Sequence, residues 1–199
     1  YVWGKQLKGD SNNEGESITT DCDGNVYVTG SFKGITDFDT YLDGKRLTNG
    51  YKEASDIYIQ KLTPEGYHVW AKQIMGSSTQ QVSRIVADAD NNLYVLGTFE
   101  GTADFDLGEE RLWMTAKYGT DVFVLKLDSD GNTIWAKQIG TGGVPDKGFM
   151  QLGKDNHLYV TSSFSGQLTT EVRGSAVQIA SEGESLFALK MSLDGEFKW

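Results

Sequence analysis

The sequence predicts an all-β fold: a β-propeller of three four-stranded antiparallel blades, part of a larger ring. Three observations carry this. Trp3, Trp70, Trp135 and Trp199 recur at intervals of 67, 65 and 64 residues, and a fixed period of that size marks a repeat architecture. Each period holds about four short runs of β-branched and aromatic residues bounded by Gly, Asn and Asp, the pattern of strands separated by tight turns. Those runs are apolar on both faces, as in Val26-Tyr27-Val28 and Val122-Phe123-Val124-Leu125. A sheet with one wet face would alternate, whereas a blade packed between two neighbours does not, and four-stranded units repeated around an axis make a propeller.

The elements follow in order. Each unit opens on a Trp segment: WGKQL from Trp3, WAKQIMG from Trp70 and WAKQIGTG from Trp135. A polar stretch leads to GNVYVTGSFKG from Gly24, NNLYVLGTFEG from Asn91 and DNHLYVTSSFSG from Asp155, which makes Tyr27, Tyr94 and Tyr159 equivalent, and likewise Phe32, Phe99 and Phe164. Units one and two continue as ITDFD and TADFD, ending at Asp39 and Asp106, where unit three has QLTTE. After a variable loop come SDIYIQKL from Ser55, TDVFVLKL from Thr120 and ESLFALKM from Glu184, and a turn (TPEG, DSDG, SLDG) returns to the next Trp. In unit two the strands are expected near 82–88, 92–99, 121–127 and 132–139. No stretch of 11 or more residues has helical apolar spacing. The chain reads as one propeller segment, 1–199, with repeats 3–69, 70–134 and 135–199. Trp70 and Trp135 are expected to be buried at equivalent positions, with Tyr94 and Phe99 in the interior of a middle strand.

The Trp segment, D-x-D-G-N-V-Y-V-T-G-S-F, F-x-G-x-x-D-F-D and D-I-Y-I-x-K-L together resemble the seven-bladed β-propeller repeat family (SBBP). The likeness covers nearly all of the chain. It is strong in units one and two and weaker in unit three, where Ser162 stands in place of Gly30 and Gly97 and the D-F-D is lost. The resemblance implies a bacterial, secreted or surface-attached protein, a scaffold or binding role, and no known reaction.

Bulk properties narrow the partners. The formal charge is −10, from 18 Lys and Arg against 28 Asp and Glu, which repels nucleic acid rather than gathering it. There is no 18-residue apolar run to cross a membrane. Cys22 is the single cysteine, so no internal disulfide forms.

Chemical motifs are sparse. Asp21, Asp23 and Asn25, and likewise Asp128, Asp130 and Asn132, resemble the start of a calcium loop, but the later glutamate of such loops is missing and a strand follows at once. Hairpin turns, in which Gly and Asn accept positive φ, are the preferred reading over calcium. No other cofactor is expected. The pairs Asp37 and Asp39, and Asp104 and Asp106, could form an acidic rim for a cation or sugar hydroxyls. Strand-end carboxylates accepting backbone N–H groups are the favoured alternative. The period-locked Trp residues read as blade packing. Trp113 stands outside the register, where unit one has Thr48, and is the better aromatic binding candidate. With two His and one Cys and no ligand spacing, zinc is not expected. Nucleophile-elbow and phosphate-loop motifs are absent.

These readings favour a non-catalytic extracellular or cell-surface propeller that acts as a scaffold or as a protein- or glycan-binding module, not an enzyme. The alternative is a carbohydrate-active hydrolase or lyase with a site at the propeller centre. A cofactor propeller resembling the quinoprotein dehydrogenases ranks third, since its tryptophan pattern is not matched. Three blades do not close, because propellers run from four to eight. Completion is expected from further blades, of a longer parent chain or of a second copy.

Overall fold

In the computed structural model, residues 3–39, 44–51, 54–143, 148–172 and 175–199 are described. The strands are β1 (Lys8–Gly9), β2 (Asn13–Thr20), β3 (Val26–Phe32), β4 (Ile35–Asp37), β5 (Arg46–Thr48), β6 (Asp56–Leu62), β7 (His68–Gly76), β8 (Gln80–Ala87), β9 (Leu93–Asp104), β10 (Trp113–Leu127), β11 (Thr133–Gly143), β12 (Phe149–Leu152), β13 (His157–Val172) and β14 (Ser175–Ser192). Among the described residues there is no helix, and so none long and apolar enough to cross a membrane.

Hairpins fold these strands into antiparallel ladders. The first blade is β2-β3-β6-β7 and the second β8-β9-β10-β11. The third is β12-β13-β14, with Phe197 bridged to Met191 at the position of a fourth strand. Short ladders link successive units at equivalent points: Lys8↔Asp37, Met75↔Asp104 and Gly140↔Thr169. The result is a strongly curled 11-stranded antiparallel sheet, a partial propeller, with β1, β4 and β5 forming a separate three-stranded sheet.

The core lies between blades, which explains the two apolar faces. Tyr27, Ile57, Ile59 and Ile74 of blade one meet Ile85, Leu93, Val95, Phe99 and Phe123 of blade two. On the other face of blade two, Tyr94, Leu96, Val122, Val124 and Ile139 meet Met150, Leu158, Val160, Phe164 and Phe187 of blade three. Adjacent residues such as Val95 and Leu96 therefore serve opposite interfaces. Tyr94 and Phe99 are fully buried in β9, as expected.

Both terminal faces carry an open patch. Ile57 and Val122, at one repeat position, are 0% and 1% exposed, while Leu186 at the same position in blade three is 80% exposed. At the opposite face Ile18 is 66% exposed, although its counterparts Ile85 and Met150 are buried.

The tryptophans depart from expectation. Trp70 and Trp135 are half-buried rather than buried. Each indole lies at the blade margin over the glycine turn of the next unit, with Nε1 donating to a turn carbonyl: Trp70 to Ser129 and Trp135 to Leu193, both at 3.2 Å. An indole whose N–H must reach a surface turn keeps part of its ring in solvent.

Candidate functional site

The aspartate turns saturate their own carboxylates. Asp21 accepts the N–H groups of Asp23 and Asn25 on Oδ1, and the Asn25 amide and the Tyr27 hydroxyl on Oδ2. Its counterpart in blade two is Asp88, which the sequence reading missed. Asp88 holds Asp90, Asn92 and Tyr94 in the same way. Burial pushes both carboxyls up, but the converging donors outweigh it and hold them below the usual range. In unit three Gly153 occupies this position, and the Tyr159 hydroxyl turns to Asp155 instead, 2.8 Å away. Asp128 belongs to a different turn, between β10 and β11, where it accepts the N–H groups of Asp130 and Asn132 and the Asn132 amide. Asp23 and Asp130 are exposed. Donor hydrogens rather than lone pairs converge on Asp21 and Asp128, a set that does not fit a cation. Among the described residues no group of three or more His, Cys, Asp or Glu could hold a metal ion.

The second aspartate motif clamps a loop. Asp104 is buried, accepts the N–H groups of Asp106 and Leu112, and pairs with Arg111 at 2.6 Å. Asp37 accepts the Asp39 N–H and lies 3.8 Å from Arg46, the counterpart of Arg111. Asp39 lies 3.7 Å from Lys5. One member of each pair lines a cleft of its own: Asp37 with Lys8, Asp10 and Arg46, and Asp106 with Arg111.

The second of these clefts is the candidate site. It has a volume of about 400 Å³ and lies between β7 of blade one and the variable loop of blade two. Trp70, Gln73, Lys45, Lys72, Arg111 and Asp106 contribute to its walls. Three cations thus meet one carboxylate in a chain of net charge −10. Lys72 is anchored on the Leu107 carbonyl at 3.1 Å, which ties the loop to β7. His68 closes one end. The buried Gln60 amide donates to the Phe38 carbonyl at 2.7 Å and lies 3.2 Å from His68 Nδ1. Burial first, then Lys5 and Lys45, push the imidazole below its ordinary value against the pull of Asp39 and Asp37, which favours the neutral ring. Beside the loop, Trp113 is 57% exposed with the Arg111 guanidinium 5.9 Å from its ring centre, within cation–π range.

Sequence reasoning also missed a buried carboxylate pair. Asp56 accepts the Gln73 amide at 2.6 Å and the Gly76 N–H, and Asp121 accepts Gln138 at 2.6 Å and the Thr141 N–H. The signal was there: each Gln of the Trp segment follows its Asp by the same 17 residues. Burial raises the Asp56 carboxyl to about 6, against the two hydrogen bonds. A carboxyl raised in the folded state binds its proton more tightly folded than unfolded. Its stabilising contribution is therefore present below about pH 4 and lost as pH rises through 6, a swing of roughly 2–3 kcal/mol. Asp21 and Asp88 act in the opposite sense at lower pH. D56N should change the stability difference between pH 4 and pH 7 by roughly that amount, because the other groups cancel in the comparison. Urea unfolding at the two pH values measures it, and an unchanged difference would show that Asp56 is not held near pH 6.

Comparison with known proteins gives limited kinship. No family model matches the chain. An uncharacterised WD repeat-containing protein of Acanthamoeba polyphaga mimivirus is 26% identical over 163 residues, 75% of this chain and 11% of that protein. The chain thus spans about a tenth of the length of the curated relative it matches. A protein of unknown function from Bacteroides caccae aligns over 86% of this chain and 80% of its own at 12% identity with a TM-score of 0.31, too low to carry an argument. A repeat-bearing relative together with the curled sheet supports a propeller-like fold.

Proposed function

We propose that the chain is a non-catalytic scaffold and binding segment of an extracellular propeller, and that the cleft between blades one and two takes a surface glycan bearing carboxylate or sulfate groups. One observation carries this reading: Lys45, Lys72 and Arg111 line one cleft with Trp70, and the non-repeated Trp113 stands exposed with its ring centre 5.9 Å from the Arg111 guanidinium. Functional groups grafted onto a repeated scaffold sit where the repeats differ. The non-catalytic reading is supported by the carboxylates themselves. Asp104 and Asp21 are engaged by several donors each, and glycoside hydrolysis needs two carboxyls facing one another across a cleft. Extracellular placement is supported by the sequence resemblance to secreted bacterial repeat proteins.

Calorimetry against acidic oligosaccharides is the test. W113A and R111A should each weaken binding at least about fivefold, the loss of an interface residue worth about 1 kcal/mol. Binding untouched by both substitutions would move the site elsewhere. Release of reducing ends from a polysaccharide would replace the reading with that of a hydrolase or lyase.

A further inference from the structure

We propose that the open face of blade three is a socket for one more blade, recognised through that blade's glycine turn. The inference rests on the propeller reading but is independent of the glycan.

The argument is continuity with an interface that this chain builds repeatedly. Trp3 Nε1 donates to the Pro64 carbonyl at 2.9 Å, Trp70 to Ser129 at 3.2 Å and Trp135 to Leu193 at 3.2 Å. Each acceptor lies two residues before a glycine of positive φ: Gly66 at 85°, Gly131 at 78° and Gly195 at 82°. A Cβ on these glycines would stand 2.8, 3.1 and 3.2 Å from the corresponding indole. The turn must therefore carry glycine twice over, for its φ and for the ring that lies on it.

A lysine reads the same carbonyl. Lys61 Nζ donates to Ser129 and Lys126 Nζ to Leu193, both at 3.0 Å. Each lysine also sits 5.3 Å from the ring centre of its blade's tyrosine, Tyr27 or Tyr94. Next in these series are Lys190 and Trp199. Lys190 holds the same 5.3 Å position over Tyr159 but bonds Asp155 instead. Trp199 is exposed, and its Nε1 has no acceptor among the described residues. Around them Tyr159, Thr161, Ala188 and Trp199 line a cleft of about 350 Å³, and Leu186 stands in the solvent. An apolar face of this kind is a docking surface.

The occupant is a further blade with an apolar inner face and an unclaimed turn carbonyl two residues before a glycine. A second copy of this chain fits less well. The equivalent turn of its blade one is already taken by Trp3, whose ring covers Gly66 and whose Nε1 holds the Pro64 carbonyl.

The test extends the full chain after Trp199 with a copy of residues 71–143, which supplies a blade whose turn copies Ser129 and Gly131. Hydrogen exchange of the β14 amides should slow. In the extended chain K190M and W199F should each speed β14 exchange about tenfold, the loss of one hydrogen bond to a buried partner. Gly131→Val in the appended copy should return β14 exchange to the rate of the unextended chain. Unchanged exchange in a folded extended chain, or slowing that the Gly131→Val copy retains, overturns the proposal. So does an unextended chain whose dye binding is indifferent to L186D, a measurement that needs no added blade. Concentration-dependent assembly of the unextended chain, abolished by L186D, would make the occupant a second copy and equally overturn the choice made here.

Discussion

Gly97→Ser should destabilise the protein by about 3 kcal/mol, at the upper end of ordinary overpacking. Gly97 lies on β9 opposite Val82 of β8. A Cβ there would press on the Gln81 carbonyl and stand 2.7 Å from ring carbons of Phe123. The backbone cannot retreat, because Gln81 belongs to the ladder itself, and the ring is wedged against Phe99 and Phe105. Gly30 is in the same position in blade one, against the Glu14 carbonyl and Tyr58. Blade three nevertheless carries Ser162 at this point. Beside it, just before β12, stands Gly148, on which a Cβ would lie 3.2 Å from that of Ser162. The third ring is missing too, since Thr170 replaces the counterpart of Phe38 and Phe105. Around Ser162 the ring cluster is thus reduced to Phe164 and Phe187, whereas all three rings crowd Gly97. Thermal or urea unfolding of G97S decides it. A loss below about 1 kcal/mol would mean the strands part more easily than this packing allows.

The period made the architecture legible. Residues locked to it with no alternation, such as Tyr94 and Phe99, had to face a neighbouring blade, and they do. What the period hid were interactions that cross it. Asp21 was matched by its local motif to Asp128, although its structural counterpart is Asp88, six residues before Tyr94 as Asp21 is before Tyr27. The D-x-D-G-N motif is shared by two different hairpins because both need the same backbone turn. The distinguishing signal is the tyrosine that follows only one of them. Burial of the tryptophans was misjudged for a related reason: identity at a fixed register signals a conserved contact, and here that contact is a surface turn on the next unit. The cleft of Lys45, Lys72 and Arg111 was not legible, because its walls come from two blades and their pairing depends on the curl of the sheet.

Phe123→Ala should cost about 3–5 kcal/mol, the range for a buried aromatic. The ring joins Phe99 and Phe105 in a cluster with centre separations of 4.9, 5.1 and 6.3 Å and tilts of 59° to 77°, edge-to-face geometry that adds to the effect of area alone. Blade one repeats the cluster with Phe32, Phe38 and Tyr58, there packed against Leu7 and Leu47, so the cluster recurs on the face turned toward the preceding unit. In blade three only Phe164 and Phe187 persist, 6.4 Å apart, and Phe187→Ala should fall nearer the low end of that range. The decisive comparison is one residue away on the same strand. Leu186 faces the opposite, open side of blade three, and Leu186→Ala should cost less than about 0.5 kcal/mol, as for an exposed substitution. Val122→Ala, at the same repeat position inside the blade two–three interface, should cost about 2 kcal/mol. Urea unfolding of the four variants gives the pattern. If Leu186→Ala were as costly as Val122→Ala, stability would reside in the strands and not in the contact between blades, and blade three would have no uncovered face to complete.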